Sequence, residues 1–201
     1  GPQSWWPARS SFEMMVGAIL TQATNWHNVE QAIGRLRRAG CLSAARIAAL
    51  PLPRLERLVR PAGYFRQKAR RLRMFARWYL ARCGGRPERL FRTPWQVLRE
   101  ELLVLHGIGP ETADSILCYA GGQPSFVVDA YTARIFRRHR LIAPGASYDR
   151  IQRLVMDALP ETGNEYNELH ALLVAVGKRH CVRRHPDCRR CPLGDLPHTS
   201  R

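Results

Sequence analysis

Lysine and acidic residues are scarce in this sequence. Only two of its 32 basic residues are lysine, Lys68 and Lys178, so few positions offer a primary amine as a nucleophile. Sixteen acidic residues leave a formal net charge of +16. Codon bias in a GC-rich genome explains arginine in place of lysine, but it does not explain the twofold excess of bases over acids. The charge favours a polyanionic partner, with nucleic acid first and an acidic membrane surface second.

Long apolar runs, internal repeats and low-complexity tracts are also missing. No apolar run approaches the length that crosses a bilayer, and the N-terminus has no signal-peptide pattern. The segment 126–128 is apolar and β-branched, but it is too short for a convincing strand. With 201 residues and 45% hydrophobic content, the chain can bury one sizeable core or two small ones.

Helical periodicity covers nearly the whole chain, and the sequence therefore predicts an all-α protein. The segment 64–82 predicts a long basic helix, with Lys68 on its solvated or phosphate-binding face. In the helix over 164–178 we expect Leu172 to be buried. Gly121-Gly122-Gln123-Pro124 is the best internal boundary. We expect two helical lobes, residues 6–121 and residues 122–201 with 1–5, and a cleft between them.

The stretch LHGIGPETADS, from Leu105 to Ser115, places two glycines between two helical patterns. Gly107 and Gly109 allow a tight turn and a close approach of the backbone, with Ile108 between them. Pro110 then opens the next helix, whose free N–H groups and dipole favour a phosphate. The alternative is an ordinary turn between helices.

Asp129 follows the apolar segment 126–128 and precedes a helical pattern. Aspartate is a preferred N-cap, so a purely structural role is a strong alternative to a catalytic one. The two roles are compatible, because a capping carboxylate is held rigidly and kept ionised by the helix.

Taken together, L-x-G-I-G-P-x-T-A-D and the following F-V-V-D resemble the helix–hairpin–helix DNA glycosylases of the endonuclease III superfamily. The upstream segment AILTQATNWHNVEQAI and the cysteines near the C-terminus extend the resemblance over residues 5 to 196. It implies an enzyme that flips a damaged base out of duplex DNA into a pocket between the lobes. It is nearest the branch of endonuclease III-like and 3-methyladenine glycosylases.

The resemblance also implies roles for particular residues. Asp129 would stabilise the positive charge on the sugar and orient or activate water. Gln22 would fill the gap left in the base stack. The hairpin, Gly107 to Gly109, would hold phosphates beside the lesion, with a possible monovalent cation.

Glu111 departs from endonuclease III itself, in which this position carries the lysine that attacks the sugar. A carboxylate cannot form a Schiff base, so we expect a monofunctional glycosylase with weak or no lyase activity. Lys68 and Lys178 are the two candidates to substitute for this lysine, and Lys178, at the end of the helix before Cys181, is the one that could approach the pocket. Alternatively, Glu111 only complements the helix dipole.

An N-terminal Trp–Pro segment, Trp5-Trp6-Pro7, and an aromatic residue at Trp26 resemble the stacking pocket of the 3-methyladenine branch. Such a pocket suits an alkylated, electron-poor purine. The alternative is that Trp5 and Trp6 pack against an exposed terminus. Oxidised pyrimidines are the second candidate substrate.

Three cysteines, Cys181, Cys188 and Cys191, have metal-ligand spacing, whereas Cys41, Cys83 and Cys118 are expected to be buried hydrophobes. The resemblance implies a [4Fe–4S] cluster, but Pro197 stands where the family has its fourth cysteine. Asp195 and His198 are candidate fourth ligands, and a zinc site or an empty loop are alternatives.

The leading hypothesis is therefore a base-excision DNA glycosylase, acting as a monomer in the cytoplasm, associated with the nucleoid, and of bacterial origin. Its rival is a non-catalytic protein that retains the fold and binds damaged DNA. Glu111 and the missing cysteine favour the rival, and Asp129 opposes it.

Overall fold

The computed structural model describes Gln3 and residues 6–199. Two compact units divide the chain, one from Trp6 to Gln123 and one from Pro124 onward, to which Gln3 also belongs. We propose that these units are the two domains expected from the sequence. Throughout the described residues the backbone is helical or irregular, without a strand, so the all-α prediction is confirmed.

The unit Trp6–Gln123 is built around helix α1. This helix is apolar on all sides, and Met15, Val16, Ile19 and Leu20 are fully buried, as expected for a central core helix. Its N-cap is Ser10, whose Oγ accepts a hydrogen bond from the Glu13 N–H. The helices of this unit are α1 (Ser11–Thr21), α2 (Trp26–Arg38), α3 (Ala44–Ala49), α4 (Leu52–Val59), α5 (Phe65–Cys83), α6 (Pro87–Leu90), α7 (Trp95–Leu103) and α8 (Pro110–Ser115).

Helix α5 is the predicted basic helix, and it packs one face into this core. Leu72, Phe75 and Tyr79 are buried, while Arg66 and Arg77 are exposed. The prediction for Lys68 on the solvated face was wrong, because this side chain is only 1% exposed. Its Nζ donates to the carbonyls of Leu20 at 2.9 Å and Ala62 at 2.6 Å, which satisfies the buried ammonium.

The hairpin joins α7 to α8 through residues 104–109, and α8 continues as a π-helical turn over Ile116–Ala120. The side chain of Ile108 is buried in the core of this unit. The expected burial of Cys41, Cys83 and Cys118 is confirmed.

The second unit contains α9 (Ala130–Arg138), α10 (Tyr148–Met156) and α11 (Gly163–Arg179), followed by a short 3-10 turn at Cys188–Arg190. Helices α9 and α11 pack closely, since any side chain on Gly177 would clash with the ring of Tyr131. The expectation that Leu172 is buried was wrong: it is 49% exposed. The buried stripe of α11 instead runs through His170, Leu173, Val174 and Gly177.

None of the helices in the described part of the chain has the length and apolar character that a bilayer-spanning helix needs.

Candidate functional site

Asp129 caps helix α9 in the second unit. Its Oδ1 accepts a hydrogen bond from the Thr132 N–H at 2.7 Å, the geometry of a helix N-cap. Its Oδ2 lies 3.6 Å from Nε2 of His170, a side chain that is 3% exposed. The carboxylate side chain itself keeps 13% of its surface exposed. Asp129 is therefore rigidly held and still reachable.

The ionisation of Asp129 follows from these contacts. Burial by itself would raise the pKa of this carboxyl. The neighbouring His170 ring and the Thr132 N–H outweigh burial and hold the pKa of Asp129 below its ordinary value. The group is thus a carboxylate at neutral pH, and it can stabilise a neighbouring positive charge or accept a proton from water.

The hairpin depends on Gly107 in two ways. Gly107 has a φ of +82°, which favours glycine, and a Cβ at this position would clash with the Arg71 side chain. Gly109 has an extended backbone with open space where a Cβ would stand. The Ile108 N–H already donates to the Leu105 carbonyl, so it is engaged within the turn.

Both ends of the Gln22 amide are bonded within the protein, and its nitrogen is bonded to this hairpin. Its Nε2 donates to the Gly107 carbonyl and to Thr112 Oγ1, each at 2.9 Å. Its Oε1 accepts a hydrogen bond from Arg71 Nη1 at 2.5 Å. The amide therefore joins the end of α1 to the hairpin and to helix α5.

Glu111 lies in the first turn of α8, where it is exposed. Neither of the two lysines provides an accessible amine in the unit that contains Glu111. Lys68 is buried and bonded to two carbonyls, and burial, with the charge of Arg71, lowers its pKa to about 8. Lys178 is exposed near the end of α11.

The predicted base-pocket residues Trp6 and Trp26 lie in one aromatic cluster. The ring of Trp6 contacts Trp26 edge-on, with centroids 4.8 Å apart, and stacks on Tyr119 at 5.1 Å. Pro7 and Trp26 also line a recess of about 380 Å³, together with the buried carboxylate of Glu13. Trp5 lies outside the described residues.

The three C-terminal cysteines line a common cavity. Of the two proposed fourth ligands, His198 belongs to the described wall of this cavity, whereas Asp195 does not. His198 Nδ1 lies 2.8 Å from the Leu196 carbonyl, and because a carbonyl only accepts, Nδ1 is the donor; in the neutral ring this leaves the lone pair on Nε2.

Arg138 supplies a positive charge beside these cysteines. It is 8% exposed, and its Nη1 donates to Cys181 Sγ at 3.2 Å and to the Val182 carbonyl at 2.7 Å. A buried guanidinium next to sulfur favours a thiolate or another anion there. Within residues 6–199 and Gln3, however, no three His, Cys, Asp or Glu side chains are arranged so that they could hold a metal ion. The side chains that line the cavity are therefore suitable donors for a thiolate-bound group, but they are not already arranged as a ligand shell.

Sequence reasoning missed several of these residues. His170 and Arg71 contact predicted site residues from distant parts of the chain, and no sequence signal indicated either contact. Glu13 was missed because it occupies the first turn of a core helix.

A capped, ionised aspartate and a glycine hairpin in an all-helical chain are the features of a helix–hairpin–helix DNA glycosylase. The family model described as HhH-GPD superfamily base excision DNA repair protein matches residues 16–161. The chain belongs to this superfamily. Its enzymatic class is accordingly that of a DNA glycosylase of base excision repair.

Among curated proteins, a Methanocaldococcus jannaschii protein provisionally named a DNA repair glycosylase is 43% identical over 198 residues, covering 98% of this chain and 89% of its own length. Among solved structures, the H. pylori 3-methyladenine DNA glycosylase MagIII bound to 1,N6-ethenoadenine is 30% identical, with a TM-score of 0.77, covering 89% of this chain and 90% of the other. A non-covalent endonuclease III–DNA complex has 26% identity and a TM-score of 0.81, with 95% and 84% covered.

Proposed function

We propose that this enzyme binds duplex DNA and removes an alkylated purine from a flipped-out nucleotide by hydrolysing its N-glycosidic bond. The preferred substrate class is 3-methyladenine. The observation that carries the proposal is Asp129, a carboxylate held by Thr132 and His170 with part of its surface open. The chain has the residues for hydrolysis by water, and at the hairpin it carries Glu111 in place of an amine.

Asp129 acts on the sugar as the bond to the base breaks. Positive charge develops on the sugar ring, and a fixed carboxylate stabilises it without reorganising at the moment of reaction. The same carboxylate orients water and accepts its proton. Departure of the base is assisted by its own positive charge, because an alkylated purine is a good leaving group.

The absence of an amine at the hairpin supports a monofunctional reaction. Glu111 stands at the position from which a lysine attacks the sugar in endonuclease III, and a carboxylate forms no Schiff base. Lys68 is enclosed by the carbonyls of Leu20 and Ala62, which leaves it no path to a substrate. We expect little or no cleavage of an abasic strand.

The aromatic cluster supports an alkylated purine as the substrate. Trp26 lines an open recess, and Trp6, which itself stacks on Tyr119, packs edge-on against Trp26. We expect the indole of Trp26 to stack on the extruded base in this recess. A cationic purine stacks favourably on an indole. The likeness to the 3-methyladenine DNA glycosylase MagIII, whose structure holds 1,N6-ethenoadenine, supports the same substrate class. Pro7 lines the same recess, and the role expected for Trp5 from the sequence stays a prediction.

Duplex DNA binding is supported by the net charge of +16 and by the exposed arginines of α5. We expect the backbone around Gly107, Ile108 and Gly109 to face the phosphates beside the lesion, with a monovalent cation at the hairpin, and Gln22 to enter the base stack. We expect the protein to act as a monomer.

For the cysteine loop we propose a [4Fe–4S] cluster held by Cys181, Cys188 and Cys191. The cavity wall favours His198 over Asp195 as the fourth ligand. Bound there, the cluster would serve as a structural clamp for the arginine-rich loop. Anaerobic purification with iron, sulfide and zinc analysis tests this: iron and sulfide in a cluster ratio support it, whereas zinc alone or no metal contradicts it.

A panel of lesions tests the function. Duplexes carrying 3-methyladenine, uracil, thymine glycol or an abasic site are incubated with the protein, and the released base is measured by chromatography. Release of 3-methyladenine, with an abasic strand that breaks only in alkali, supports the proposal. Release of thymine glycol instead would establish an oxidised-pyrimidine enzyme. Tight binding without any release would establish a non-catalytic protein.

A further inference from the structure

The Gln22 amide raises a question about how it reaches DNA. A side chain that fills a gap in the base stack needs a free amide, yet here both Nε2 hydrogens and Oε1 are bonded within the protein. The partner of Oε1 is the guanidinium of Arg71, on helix α5. Entry of Gln22 into a duplex therefore requires that these bonds break.

Arg71 is placed to respond to an anion. It lies against Gly107, close enough that any side chain on this glycine would clash with it. The positive charge of Arg71 also destabilises the ammonium form of the buried Lys68. Among the described residues, no carboxylate forms an ion pair with Arg71 (its recorded partner is the neutral Gln22). A guanidinium beside another cation, without a counter-charge, favours an arriving phosphate.

Arg71 is also partly exposed, so solvent and an incoming strand can reach it. Arg82, on the same helix, is a contrast: its Nε lies 2.7 Å from Glu101 Oε2, so its charge is already neutralised by a neighbour. The two arginines share a helix and a side-chain type and differ in their partners. This makes Arg82 a matched control.

We propose that Arg71 is a latch: it holds Gln22 against the hairpin in the free protein and releases it when a DNA phosphodiester takes the guanidinium. The inference rests on the proposed DNA-binding function of the hairpin, and it assigns to Arg71 a contact that the sequence did not predict. Binding of the DNA backbone and release of the Gln22 side chain therefore occur together.

Salt dependence of binding separates a phosphate contact from a merely structural role. Affinity for an abasic-analogue duplex is measured over a range of salt concentrations. Arg71→Gln is expected to reduce the slope of log affinity against log salt by about one unit and to weaken binding about tenfold at low salt. Arg71→Lys keeps the charge and should keep the slope. Arg82→Gln should leave it unchanged. An unchanged slope in Arg71→Gln overturns the phosphate contact.

The latch itself is read from the Gln22 side-chain amide by NMR, with Gln22→Ala used for the assignment. In the wild type, the duplex should shift this amide signal; in free Arg71→Gln the signal should already lie toward its duplex-bound position. A signal that is the same with and without DNA overturns the latch. These measurements need no catalysis, so a wild type that excises nothing would defeat the proposed function while still testing Arg71.

Discussion

Glu111 and Asp129 each lie at the start of a helix, and the two acids have opposite surroundings. Glu111 follows Pro110 at the start of α8 and is exposed to solvent. Asp129 caps α9, and its carboxylate is largely enclosed by the Thr132 N–H and the His170 ring. A carboxylate at a helix N-terminus interacts favourably with the helix dipole in both places. The neighbours of Asp129 fix the position of its carboxylate and favour its ionised form.

This difference is our reason for proposing that Asp129, and not Glu111, acts in the reaction. A side chain that must stabilise charge in a transition state has to be held before the reaction begins, and Asp129 is held. Glu111 occupies the position at which endonuclease III carries its nucleophilic lysine, and a carboxylate cannot replace that amine. We therefore propose that Asp129 carries the hydrolysis and that Glu111 has a minor electrostatic role, and the following variants test that division.

The largest effect is expected from Asp129→Asn. Asparagine retains the cap, so the free energy of unfolding should change by less than about 0.5 kcal/mol. Loss of the carboxylate should reduce the single-turnover excision rate by about a hundredfold or more, with DNA affinity retained. Asp157→Asn, an exposed acid of the same unit, is the control and should excise normally. Normal excision by Asp129→Asn would make Asp129 only a cap.

Glu111→Lys should change the type of reaction. If the hairpin position faces the sugar, the new amine should form a Schiff base that borohydride traps as a protein–DNA adduct. Glu100→Lys makes the same charge change on an exposed face of α7 and should give no adduct. An adduct with both variants, or with neither, would remove the link between position 111 and the reacting sugar.

His170→Gln should shift the pH dependence. His170 lowers the pKa of Asp129, so its loss should raise that pKa and move the acid limb of kcat/KM to higher pH. The stability of the folded protein depends on pH in the same direction. A depressed carboxyl pKa contributes stability above about pH 4, and this contribution is lost as the pH falls through the folded-state pKa. Acid unfolding of the variant should therefore begin at higher pH.

The control for this profile is His27→Gln, an exposed change on α2. An acid limb that stays in place in His170→Gln, with normal folding, would show that His170 does not set the ionisation of Asp129.

The smallest effect is expected from Glu111→Gln. It removes only an exposed charge from the first turn of α8, which is worth about 1 kcal/mol or less. Excision should stay within about threefold of the wild type, as measured on the same substrate. A hundredfold loss would mean that Glu111 takes part in the reaction and that the comparison with Asp129 is wrong.

Local features of the fold were predictable from the sequence, and long-range contacts were not. Asp129 was recognised as a cap because residue type and helical periodicity are read over a few neighbouring positions. Lys68 was misplaced because its partners, Leu20 and Ala62, come from other helices. Leu172 was misplaced because a continuous apolar run in α11 obscures which face is buried. The contacts of Gln22 with Arg71 and of Asp129 with His170 join distant segments.

The most direct test of a water-driven, lysine-free reaction is a single-turnover experiment on a 3-methyladenine duplex with borohydride present. The account predicts release of the free base, a strand that stays intact until alkali is added, and no trapped adduct. A borohydride-trapped adduct of the wild-type protein, with strand cleavage in the absence of alkali, would contradict it.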